Sequence, residues 1–173
     1  MSLRKKLAEL DACSPARDWV GDKTLAEAWQ TCQRGDWLLW LAAKANIDRR
    51  LLVLAACDCA EPALVYVPAG EDRPRIAIET ARAWANGEAT LEAVSAAAFA
   101  AADAADAAAD AAFAAADAAN GAYKAAYAAN AAADAAADAA DDAAQAASLA
   151  HSADLVRARI PLVVIADALG GAL

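Results

Sequence analysis

The sequence predicts an all-α protein: a bundle of short N-terminal helices packed on a long alanine-rich helical hairpin. Three observations predict it. Residues 93–153 hold 38 alanines in 61 positions, and alanine is the best helix former and a poor strand former. The first 92 residues carry helix caps and stops spaced one short helix apart. The non-alanine residues of the tract recur at steps of three and four, which is the spacing of one helix face. The length of 173 residues fits one all-α domain over 1–173. Its expected parts are motif-bearing helices at 24–92, the alanine and aspartate tract at 93–153, and a C-terminal helix at 154–173.

Each element has a local reason. Thr24-Leu25-Ala26-Glu27 is a capping box that opens a helix to about Cys32. Gly35-Asp36 is expected to stop that region and cap a helix from Trp37 to Ala45. Asp48 caps the next, from Arg49 to about Ala60. Pro62 and Pro68-Ala69-Gly70 then break the chain. Pro74 suits the first turn of a further helix, which Asn86-Gly87 ends. On it Ile76, Ala77, Thr80, Ala83 and Trp84 form one face, and Arg75, Glu79 and Arg82 form another at ion-pairing distance. Thr90 caps the helix that enters the tract.

A stripe of Phe, Asp, Tyr and Asn runs through the tract from Phe99 to Ser148. A single helix over 91–153 would extend roughly 95 Å, too long for a compact domain. Asn120-Gly121 is the natural break, because both residues accept the left-handed conformation of a helix end. The expected result is an antiparallel hairpin with close-packed alanine faces. A final helix is expected from Ala153, kinked at Pro161 and stopped by Gly170-Gly171.

Charge narrows the function classes. The net charge is −9, and −7 of it sits on residues 93–153. Such a chain repels phosphates, so a nucleic-acid polymer is not an expected partner. The tract is no membrane span, since each aspartate would cost about 2.5–3.5 kcal/mol at mid-bilayer. The apolar run from Ile160 to Leu169 is too short to cross. Basic Arg4-Lys5-Lys6 has no apolar stretch behind it, unlike an export signal. A cytoplasmic protein is expected, with Cys13, Cys32, Cys57 and Cys59 reduced and structural. Cys57-Asp58-Cys59 lacks the spacing of a zinc or redox pair, so no metal and no cofactor are expected. The aspartate stripe is read as a solvated face, with a contact surface for a basic protein as the sharper reading. His151 is read as a surface or packing residue.

The tryptophans admit two readings. Trp29, Trp37, Trp40 and Trp84 anchor a core that alanine cannot fill. Alternatively they form an arginine–aromatic patch for an anionic ligand or a protein partner. The residues expected to form it are Asp36, Trp37, Trp40, Arg50, Asp58, Arg75 and Glu79. No nucleophile–base pair or phosphate loop accompanies them, so an enzyme is not expected and no catalytic residue is named.

Three stretches resemble a known family: Ala28 to Ala42 with Gly35-Asp36-Trp37 at its centre, Asp48 to Ala60 with Cys57-Asp58-Cys59, and Tyr66 to Thr90 with Arg73-Pro74-Arg75 and Trp84-Ala85-Asn86-Gly87. In order and spacing they are similar to the Imm-five-like immunity protein family of bacterial polymorphic-toxin systems and phages. The resemblance covers about residues 24–92. It implies an all-α protein that neutralises a cognate toxin domain by stoichiometric binding and brings no catalytic residues. Two other readings stay open. One is a sponge, bacterial or phage-encoded, that sequesters a small anionic ligand such as a nucleotide immune signal (an anti-defence role). The other is a homo-oligomeric helical scaffold.

Overall fold

A computed structural model describes residues 2–67, 69–101 and 144–170. Among these residues every regular element is helical and no strand occurs. In chain order they are α1 (Leu3–Glu9), α2 (Ser14–Val20), α3 (Leu25–Thr31), α4 (Gly35–Lys44) and α5 (Arg49–Ala60). A 3-10 helix at Glu61–Tyr66 and α6 (Arg73–Asn86) follow. The described part of α7 is 91–101, α8 enters the described residues at 144 and runs to 159, and α9 is Leu162–Ala168. The aspartate stripe, the break at Asn120-Gly121 and the hairpin fall mainly on 102–143, outside the described residues.

The chain divides into two compact units, Met1–Pro62 with Ser148–Leu173, and Ala63–Ala147. The first unit contains the buried core: Leu3 and Leu7 from α1, Val20 from α2, Trp29 from α3, Leu38 and Leu41 from α4, and Val156, Ile160 and Ile165 from the C-terminal segment. On α8, Ala153, Val156 and the following Ile160 recur at helical spacing and are fully buried, so this one stripe faces the core. Two side chains pin the segment down. Arg157 donates from Nη1 to the carbonyls of Trp29 at 3.0 Å and Cys32 at 2.7 Å, satisfying acceptors that the end of α3 leaves open. Arg159 donates to Asp58 at 2.7 Å.

The local signals are mostly obeyed. Thr24 accepts from the Glu27 amide, and the Glu27 carboxylate accepts from the Thr24 amide at 2.8 Å, a reciprocal capping box. The Asp48 carboxylate accepts from the Arg50 amide at 2.8 Å, and Thr90 accepts from the Ala93 amide. Gly87 ends α6 with φ of 83°.

Four details depart from expectation. Helix α4 starts at Gly35, not Trp37, and Arg34 precedes it without a side-chain cap. Gly35 is there for close approach: a Cβ on it would lie 2.6 Å from the Ser152 Cβ and 2.8 Å from the Ala153 amide nitrogen. On α6 the expected apolar face is kept only in part: Ala77, Thr80, Ala83 and Trp84 are half-buried, whereas Ile76 is 47% exposed and Ala85 is buried. Ala153 lies inside α8 instead of opening a helix. Pro161 caps a separate helix, α9, because its ring and missing N–H interrupt the ladder.

Candidate functional site

A cavity of about 470 Å³ opens in the first unit among α1 to α4. Its apolar wall comes from Leu3 and Leu7 of α1, Val20 of α2 and Leu25 of α3. Its aromatic wall is Trp19, Trp29, Trp37 and Trp40. Helical spacing explains the grouping. Leu41 lies one turn after Trp37 and Leu38 on α4, and Leu7 one turn after Leu3 on α1. Trp29 is 2% exposed and belongs to the core, whereas Trp19, Trp37 and Trp40 are half-buried around the opening. Trp29 thus anchors the core, and Trp19, Trp37 and Trp40 line the cavity. Trp19 and Trp37 meet edge to face, with ring centroids 6.1 Å apart.

The rim is charged but internally paired. Arg34 donates to Asp36 through Nε at 2.8 Å and Nη2 at 2.6 Å, a bidentate pair. That pairing holds the Asp36 carboxyl below the ordinary carboxylate range and raises the Arg34 guanidinium further. Arg34 also lies 4.6 Å from the centre of the Trp37 ring. Lys23 lies 4.7 Å from Trp19 and Lys44 lies 5.7 Å from Trp40. Asp11 joins the lining from the turn between α1 and α2, where its φ is 64°. Aspartate tolerates that left-handed geometry better than most residues. Cys32 is buried in the wall, and burial pushes its thiol pKa up. Cys13 is exposed, so it is not the buried structural thiol expected of it.

The structure thus brings Asp36, Trp37 and Trp40 together at one cavity. Arg50 is exposed on the first turn of α5. Asp58, on the same helix, forms its ion pair with Arg159 with its side chain only 17% exposed. Arg75 and Glu79 belong to the second unit. There Arg75 pairs with Glu79 at 3.3 Å and with Asp72, an exposed ladder along α6. Nearby Glu71 pairs with Arg73, which lowers its carboxyl to about 2. The sequence reading did not place α1 and α2, so it missed their share of the wall. The signals were present: Ser2 accepts from the Lys5 amide at the start of α1, and Pro15 lies in the first turn of α2.

Among the described residues no helix is long and apolar enough to cross a membrane. A family model described as "Imm-5 like putative immunity protein" matches residues 43–136, just over half of the chain. The match includes Arg50, Asp58, Arg75 and Glu79 and begins after the last residue that lines the cavity. No curated protein and no solved structure matches the chain significantly.

Proposed function

The chain belongs to the Imm-5 like immunity protein family, and on that premise we propose that it neutralises a toxin by stoichiometric, non-catalytic binding in the cytoplasm. Family membership carries the reading. The net charge of −9 supports a basic toxin domain such as a nuclease, because opposite charge speeds encounter and favours the correct partner. The proposed contact residues are Asp36, Trp37, Trp40 and Arg50 in the first unit, and Arg75 and Glu79 in the second. Trp40 and Arg50 combine exposed area with the residue chemistry of binding hot spots. Asp58 has a structural task in its pair with Arg159.

Co-expression with the toxin encoded beside this gene tests the proposal. Rescue from lethality and a one-to-one complex by light scattering are the expected results. Trp40→Ala combined with Arg75→Ala is expected to abolish rescue with helicity retained. Undiminished lethality with the wild-type chain overturns the reading. A homo-oligomer without toxin binding would point to the scaffold. Nucleotide released on denaturing the purified chain would point to the sponge.

A further inference from the structure

We propose that the α1–α4 cavity is a binding site for a neutral, flat aromatic small molecule carrying one hydrogen-bonding group. The volume of about 470 Å³ is within the roughly 300–1,000 Å³ of small-molecule sites. The site is built on four helices, and its deep wall is fixed by the core residues Leu3, Leu7, Val20 and Trp29. Apolar walls of this kind reward an apolar body.

The charges select against ions of either sign. Arg34 is the cation among the lining residues, and its charge is already paired with Asp36 through two of its donors. An anion would also meet the carboxylates of Asp11 and Asp36. A phosphate therefore meets two carboxylates and one guanidinium whose charge is already offset. A cation fares no better, since Lys23, Arg34 and Lys44 already sit against the Trp19, Trp37 and Trp40 rings. A neutral aromatic ring needs no charged partner and packs on the wall of Leu3, Leu7, Val20 and Trp29. At the mouth, the Asp36 carboxylate retains acceptor capacity beyond its two bonds to Arg34 and can take one N–H or O–H from the ligand.

This inference does not depend on the toxin reading, although the two share Trp37 and Trp40. It is tested on the purified full chain without a partner, so either can fail alone. The probes are indole, indoleacetate, tryptamine and adenosine monophosphate, followed by calorimetry and by the tryptophan indole N–H signals in nitrogen-15 spectra. Indole is expected to bind saturably one to one, about tenfold or more tighter than either charged analogue. The nucleotide is expected not to bind. Indole should shift the Trp19, Trp29, Trp37 and Trp40 signals and leave Trp84 of the second unit in place. Ala16→Trp, at a half-exposed wall position, and Leu7→Trp, in the deep wall, are expected to abolish binding. Absence of saturable indole binding overturns the proposal, as does equal affinity for a charged analogue or an equal shift at Trp84. Indole binding that survives in a folded filled-cavity variant also overturns it. If both variants unfold, the probe series and the signal map on the wild-type chain still decide.

Discussion

The described contacts of the two units differ in range. The first packs large side chains from distant parts of the chain: Trp29 and Leu41 sit in one core with Val156 and Ile165. Its polar ties also span long separations, as when Arg157 reaches the carbonyls of α3. In the second unit the described polar contacts include local ones. Arg75 bonds to Asp72 and Glu79 within one turn either way, Thr80 bonds to the Ile76 carbonyl, and Thr90 caps its own helix. Among its described residues Ala85 is buried, while Val65, Leu91 and Phe99 are 78%, 59% and 71% exposed. The described core of the first unit is thus built by shape, and helix α6 of the second carries a ladder of neighbouring charges. Shape can build a cavity with fixed walls; propensity alone cannot.

That contrast can be broken by substitution. The largest effect is expected for Trp29→Ala, which empties a fully buried site and should cost about 4 kcal/mol in denaturant unfolding. A cost below about 1 kcal/mol would show that the first unit does not depend on large-residue packing. Gly35→Ala should cost about 2 kcal/mol. Two of the three atoms its Cβ would strike belong to the backbone of Ser152 and Ala153, so a rotamer change cannot relieve the clash and α4 must move from α8. An unchanged unfolding midpoint would refute that close approach. The smallest effect is expected for Arg75→Ala. Its ion pairs are half-exposed and screened by water, so the midpoint should be indistinguishable from that of the wild type. A clear loss there would mean that the second unit relies on more than local pairing.

The sequence was most legible where the cause of structure is local. The Thr24–Glu27 capping box, the Asp48 cap and the Gly87 stop are each written within four residues, and each forms. It was less legible where two surfaces had to meet. Gly35 has the composition of a helix stop, yet it enters α4 because Ser152 approaches from far along the chain. Ile76 and Ile78 are equally apolar, and only neighbouring structure leaves Ile76 exposed and Ile78 half-buried. The candidate site shows the same division. Trp37 and Trp40 could be singled out by residue type, and Asp36 and Arg34 by proximity. That Leu3, Leu7 and Trp19 would complete the cavity depends on how α1 and α2 pack together at the Asp11 turn.

By itself, the sequence determined the all-α class, the position of most caps, the concentration of negative charge on residues 93–153 and the family relationship. Those properties follow from composition, short spacing and side-chain chemistry, which need no partner surface. The tertiary structure decided which tryptophan is core and which lines an opening, and which glycine marks a helix crossing. These depend on contacts such as Gly35 with Ser152 and Arg157 with Trp29, more than a hundred residues apart in the chain. The physical reason is that a short-range signal sets a residue's conformation, whereas its neighbours in space set what its side chain can do.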